Sequence, residues 1–165
     1  MPSFSLQPVT EADFEVGKPF THRFVVRSSR SADDVFAEIH GGTGKRPLHW
    51  CRGIKRVVWT SPAPHGVGAT REVAVASGLV AQERYFVWDE ATRVTAFSFV
   101  SANLPLFTRF GERYTVTPTA GGGSEFLWEF VVEPRVPGPL KGAVLGAVKR
   151  LDLAKLERDT REYLG

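Results

Sequence analysis

One cysteine, Cys51, and one methionine are all the sulfur this 165-residue chain carries. A lone cysteine cannot close an internal disulfide, so the fold has to be held by burial, and a reduced cytoplasm is the expected location. Long uncharged runs are missing too. The longest, residues 94–108, contains Ser98, Ser101, Asn103 and Pro105 and is too short and too polar to span a bilayer. The opening residues, MPSFSLQPVTEADFE, show neither a basic nor an apolar leader segment, so no export signal is expected. His40, His49, His65 and Cys51 follow no zinc spacing. The stretch Gly41-Gly42-Thr43-Gly44-Lys45 lacks the spacing of a phosphate loop, and there is no Gly-x-Ser-x-Gly elbow. No metal, no cofactor and no serine-hydrolase chemistry are expected.

Acid is absent from one long window. Between Glu38 and Glu72 the chain has no carboxylate side chain, while Lys45, Arg46, Arg52, Lys55, Arg56 and Arg71 fall inside it. Such a window makes a local positive field, most simply a solvated face, and no nucleic-acid motif accompanies it. What is present is ordinary for one folded domain: 42% hydrophobic residues, 24% charged residues and a net charge of +3.

Turn-forming clusters cut the chain into elements. Strand-like runs lie at 21–27, 54–60, 69–76, 81–88, 94–101, 110–117 and 125–133, separated by turns such as PAPHG, SG, DEAT and GGGS. A helix is expected after the first strand, with Ser31 as its N-cap and Asp33 and Asp34 in its first turn. A second short helical or irregular piece follows at 47–52. Strands joined by short turns pair antiparallel, because a parallel neighbour would need a long crossover. Pro139 opens a long C-terminal helix on which Leu140, Val144, Ala147, Val148 and Leu151 form an apolar stripe. Gly142 and Gly146 are expected to let that helix lie close to the sheet.

Alternation along the strands predicts which side chains face the helix. Phe126, Trp128 and Phe130 alternate with Glu125 and Glu129, so even positions of the last strand point inward. The neighbouring strand then directs Phe110, Glu112, Tyr114 and Val116 inward. In the earlier hairpins odd positions are expected inside: Arg71, Val73 and Val75; Glu83, Tyr85 and Val87; Phe97 and Phe99. Phe86 and Trp88 then face out as a patch for a homodimer. Arg71, Glu83 and Glu112 among aromatic rings do not describe a dry core, since an unpaired buried charge costs several kcal/mol. A cavity that these groups line is the economical reading.

The order of elements, with GVGATREV at 66–73, SGL at 77–79, Glu83 and WDEATRV at 88–94, resembles the START-like superfamily, which includes polyketide cyclases, birch-pollen-type allergens and plant abscisic-acid receptors. The resemblance implies an α+β helix-grip fold: a curved seven-stranded antiparallel sheet wrapped around a long C-terminal helix, with two short helices after the first strand. The domain would span residues 20–165 and leave 1–19 as an N-terminal extension. Glu83, Phe97, Phe99, Trp128, Val144, Val148 and Asp152 would sit at pocket-lining positions. Ser77, Gly78 and Leu79 would form a mobile gate loop, although Val80 stands where the plant receptors have proline and their His-Arg-Leu latch is absent. Residues 102–108 would supply the opposite rim.

The resulting expectation is a binding module for a small apolar or amphipathic molecule, lipid-like or polyketide-like. Arg71, Val73, Val75, Leu79, Glu83, Tyr85, Phe97, Phe99, Phe110, Glu112, Tyr114, Trp128, Val144, Val148 and Asp152 are its candidate ligand contacts. Two alternatives stay open: a cyclase or dehydrase using Glu112, Glu83 and Arg71 to polarise a carbonyl and move a proton, and a regulator whose gate loops recruit a partner. A nucleophilic Cys51 served by His49 is a weaker candidate.

Overall fold

Each short turn returns the chain beside the strand it has just left, and the result in the computed structural model, which describes residues 2–165, is an antiparallel meander. The strands are β1 (Phe4–Ser5), β2 (Thr21–Ser28), β3 (Ile54–Trp59), β4 (Thr70–Val75), β5 (Val80–Asp89), β6 (Val94–Ala102), β7 (Phe107–Pro118) and β8 (Ser124–Pro134). Seven of them form one curved sheet in the order β2-β8-β7-β6-β5-β4-β3. Helix α1 (Ala32–Ile39) follows β2, and a long C-terminal helix lies against the sheet as α2 (Gly138–Val148), a π turn (Lys149–Leu153) and α3 (Ala154–Leu164). The helix-grip expectation is met.

Local signals act as anticipated at α1. The Ser31 hydroxyl accepts from the Asp34 amide at 3.2 Å, and Asp33 and Asp34 occupy the first turn. The second short helix does not form. Residues 47–52 are a run of turns wrapped around the Arg46 guanidinium, which donates to the carbonyls of Pro47, Leu48, His49, Cys51 and Ile54. Five carbonyls turned toward one cation cannot also point along a helix axis.

The inner face carries the core. Phe126, Trp128, Phe130, Tyr114, Val116, Tyr85 and Phe97 are all buried there, so the even phase of β7 and β8 and the odd phase of β4 and β6 hold. On β5 the odd phase holds only to Tyr85. A bulge between Tyr85 and Val87 shifts the register, pairing Val87 with Ala96 and Trp88 with Thr95. Trp88 therefore turns inward, 4.9 Å from both the Tyr85 and His40 rings, and Val87 turns out.

Phe86 faces outward, as predicted, but it is not free. The N-terminal segment crosses the outer face, where Val9, Phe14 and Val131 make a second small core against which Phe86 packs. β1 pairs with β6 at Ser101 and Ala102, beyond the end of the β6–β7 ladder at Ser98. Gly111 on β7 makes room for this segment, because a Cβ there would meet the Phe97 carbonyl at 2.8 Å and Val9 at 2.9 Å. Residues 4–14 are thus built onto the sheet. Neither Phe86 nor Trp88 supplies the exposed patch on which a homodimer was expected.

The C-terminal helix presents a different face from the one the periodicity suggests. Leu145, Val148, Leu153, Leu156 and Tyr163 pack against the core, whereas Leu140 is 54% and Leu151 59% exposed. The π turn inserts an extra residue, so the inward line runs from Leu145 and Val148 to Leu153 and Leu156. Gly142 and Gly146 face open space rather than the sheet.

Candidate functional site

Between the concave sheet and the C-terminal helix lies a cavity of about 410 Å³. β4 contributes Arg71, Val73 and Val75, β5 contributes Glu83, and Leu79 comes from the turn between them. Phe99 on β6 and Phe110, Glu112 and Tyr114 on β7 form the opposite wall, and Val148 and Asp152 come from the helix. Eleven of the fifteen residues read from the sequence as ligand contacts therefore lie on one wall system: these eleven are Arg71, Val73, Val75, Leu79, Glu83, Phe99, Phe110, Glu112, Tyr114, Val148 and Asp152.

Four do not reach it. Tyr85, Phe97 and Trp128 are buried behind the wall, where Phe97 packs edge-on to Tyr114 and Trp128 braces both Tyr114 and Glu112. Val144 sits on α2 away from the cavity, on the stripe displaced from the sheet. Conversely, Leu48, Ile54, Leu106, Phe107, Leu153 and Leu156 line the cavity without having been singled out. Leu106 and Phe107 fall in the rim expected at 102–108. The helical pair Leu153 and Leu156 was hidden by the π turn.

The deep end is polar. Arg71 and Glu83 are directly opposed on β4 and β5, and Arg71 Nε donates to Glu83 Oε2. Arg71 also lies over the Phe97 ring, 4.7 Å from its centroid, with Nη2 3.5 Å from the Tyr114 hydroxyl; its Nη1 has no partner. Burial pushes the Glu83 carboxyl up, and Arg71's charge works against that rise. Nearby, Tyr114 Oη and Trp128 Nε1 both donate to Glu112 Oε2 at 2.8 Å. Burial, reinforced by the negative charge of Glu83, pushes Glu112 up to about 8 against the pull of those two donors. At neutral pH Glu112 is therefore mostly a neutral acid. Since Oε2 already accepts two hydrogen bonds, its proton belongs on Oε1, which makes no hydrogen bond within the protein.

His40 lies behind this wall, its ring centroid 6.1 Å from that of Tyr114. Its Nδ1 donates to the Phe36 carbonyl at 2.8 Å, so Nε2 accepts from Thr95 Oγ1 at 3.0 Å. Burial, with the charge of Arg71 adding to it, lowers its pKa to about 3, which leaves the ring neutral. The Cys51–His49 pair is not assembled. Burial raises the Cys51 thiol to about 12, and His49 Nε2 instead meets Glu38 Oε1 at 2.6 Å. Among the described residues no cluster of ligating side chains is arranged for a metal ion.

The expected gate loop is a tight turn. Gly78 adopts φ +88°, its amide donates to the Val75 carbonyl at 3.0 Å, and the Val75 amide donates to the Leu79 carbonyl at 2.9 Å. Asn103 then ties it to the other rim: its Oδ1 accepts from the Val80 amide at 2.7 Å and its Nδ2 donates to the Gly78 carbonyl at 3.0 Å. This side chain adds to the Asn103 amide, which donates to the Val80 carbonyl at 3.0 Å where the β5–β6 ladder ends.

Comparison with known proteins places this architecture among relatives. Residues 20–160 match the family described as polyketide cyclase / dehydrase and lipid transport. An uncharacterized protein of Mycobacterium tuberculosis is 33% identical over 116 residues, covering 69% of this chain and 67% of its own. A START superfamily protein from Mycobacterium smegmatis superposes with a TM-score of 0.63 at 16% identity, over 87% of this chain and 96% of that one. The Zhui aromatase/cyclase of a Streptomyces species superposes equally well, at 0.63 and 15% identity, over 86% and 92%.

Proposed function

Because the chain belongs to the polyketide cyclase / dehydrase and lipid transport family, we propose that it binds one small amphipathic molecule whose uncharged polar group lies against Glu112 and Arg71. The observation that carries this reading is a cavity of about 410 Å³ with largely apolar walls and a buried polar end, and with Ser77, Asp152 and Lys155 on its turn and helix side. That volume is within the range of about 300–1,000 Å³ typical of small-molecule sites. The walls of Val73, Val75, Leu79, Phe99, Phe107 and Phe110 suit a hydrocarbon or ring system. The polar end suits a carbonyl or hydroxyl, because Arg71 and Glu83 neutralise each other and the free Glu112 Oε1–H donates. A carboxylate placed there would lose its hydration and gain only one neutral donor and an already paired cation.

The test is native mass spectrometry of freshly purified protein, followed by displacement of N-phenylnaphthylamine fluorescence by a fatty acid and by its methyl ester. The ester should compete at least about tenfold better at pH 7. Equal competition would remove the uncharged-head assignment, and no fluorophore uptake at all would remove the binding reading. A catalytic reading is favoured by one observation: Glu112 lines the cavity with its Oε1 free of protein partners, and burial that raises its carboxyl suits it to proton transfer near neutral pH. In an enzyme, Glu112→Gln would abolish turnover of the bound molecule while leaving its uptake intact.

A further inference from the structure

The hairpin of β6 and β7 comes apart before it reaches the cavity rim. Its ladder runs from Val94–Thr115 to Ser98–Gly111, and beyond that point each strand keeps its other neighbour. Gln82 and Ala81 of β5 still oppose Ser101 and Ala102, and Glu133 and Pro134 of β8 still oppose Arg109 and Phe107. The N-terminal segment fills the gap. Because β5 holds one side of Ser101 and Ala102, Ser5 and Phe4 of β1 pair on the other, where β7 would otherwise lie. The Leu6 amide then donates to the Val100 carbonyl on β6 at 3.2 Å, and the Gln7 amide to the Thr108 carbonyl on β7 at 2.9 Å. Two consecutive residues thus stitch together strands that do not meet. Leu6 is half-buried and packs against the main core, whereas Ser5 and Gln7 are exposed. On the cavity side of this seam β6 and β7 touch through the stacked rings of Phe99 and Phe110, 4.3 Å apart, and both rings line the cavity.

Two attachments of different strength hold the segment. After Pro8, which has no amide hydrogen to give, Val9 and Phe14 are each 3% exposed, the Val9 amide donates to Ser98 Oγ at 3.0 Å, and Asp13 pairs with Arg109 at 2.7 Å. Residues 4–7 have less. Beside their few backbone bonds stands one side chain, Arg135, whose Nη2 donates to the Ser5 carbonyl at 2.8 Å while Nε donates to the Phe107 carbonyl at 3.2 Å. We infer that residues 4–7 are a detachable plug, tethered at Val9, whose withdrawal opens the seam between β6 and β7 as a route for the small molecule into and out of the cavity. This rests on the binding reading above. Withdrawal exchanges a few peptide hydrogen bonds for bonds to water, the kind of local opening that costs far less than unfolding, whereas parting other neighbouring strands breaks a ladder of opposed pairs. The rim facing the 77–79 turn is fastened by Asn103 through both its side chain and its amide.

A reversible cross-link in the full chain tests the plug. Ser5 and Ser101 are directly opposed antiparallel partners, a spacing that disulfides share, so Ser5→Cys with Ser101→Cys joins plug to strand on oxidation and frees it on reduction. The native Cys51 is buried, away from this exchange. Stopped-flow uptake and release of N-phenylnaphthylamine should both be at least about tenfold slower in the oxidised protein than in the reduced one, with the equilibrium affinity unchanged. The reduced protein should match the parent. Arg135→Met, which keeps the aliphatic stem and removes both guanidinium bonds, should speed release by about fivefold or more. It should also hasten hydrogen exchange at the Leu6 and Gln7 amides while that of Val9 stays at the parent rate. Equal rates in the oxidised and reduced forms would overturn the inference, as would Leu6 and Gln7 amides in the parent that exchange no faster than Val9. Absence of fluorophore uptake would remove the binding reading and this route with it. Normal uptake with release indifferent to the cross-link would remove the plug alone.

Discussion

Replacing Glu112 by glutamine should make the protein's stability less dependent on pH, by an amount the site's geometry sets. The folded state holds this carboxyl at about 8, against an ordinary 4.5 in the unfolded chain. A raised carboxyl means that the folded state binds the proton more tightly. Its stabilisation is therefore complete below pH 4.5 and is lost as pH rises through 8. Each unit corresponds to about 1.4 kcal/mol, so roughly 4 kcal/mol should disappear between pH 5 and pH 9. The substituted amide would keep an oxygen for Tyr114 and Trp128 and an N–H toward the cavity, with no proton to lose. Histidine titration in the unfolded chain and the Arg71–Glu83 pair act in both proteins, so the difference between them isolates Glu112. Urea denaturation followed by tryptophan fluorescence at pH 5, 7 and 9 measures it. The variant should gain on the parent steadily across the series. A difference that stays constant within about 0.5 kcal/mol would refute the neutral, proton-donating Glu112.

Two other predictions concern the frame around the site. Glu38 on α1 is also buried, which pushes its carboxyl up, but hydrogen bonds from Arg30, His49 and Tyr163 outweigh this and hold it at about 2. Stability from that clasp is present above pH 4.5 and lost as pH falls toward 2, so Glu38→Gln should cost about 2 to 3 kcal/mol at pH 7 and much less at pH 3 in chemical denaturation. Gly142→Ala and Gly146→Ala should each raise stability by about 1 kcal/mol, since both glycines are helical and face open space; a drop in melting temperature would show that the helix needs them small.

The sequence by itself determined the meander, the inward phase of most strands and the presence of ionisable groups among the aromatic rings. These are local properties: turn residues every ten or so positions force antiparallel neighbours, and period-two alternation assigns faces without knowledge of the rest of the chain. It could bring Arg71, Glu83 and Glu112 to one side of the sheet because strand pairing converts a phase into proximity. What only the tertiary structure decided lies where one residue is added or one side chain overrides a local pattern. The bulge after Tyr85 turned Trp88 inward, and the N-terminal segment covered Phe86. The π turn at Lys149–Leu153 moved Leu153 and Leu156 onto the cavity and left Leu140 and Leu151 outside. Arg46 drew five carbonyls around itself where a helix was expected, and Asn103 joined two rims that sequence reasoning treated as separate. Periodicity cannot register such events, because each depends on a partner distant in the chain or on a single inserted residue that reverses every face after it.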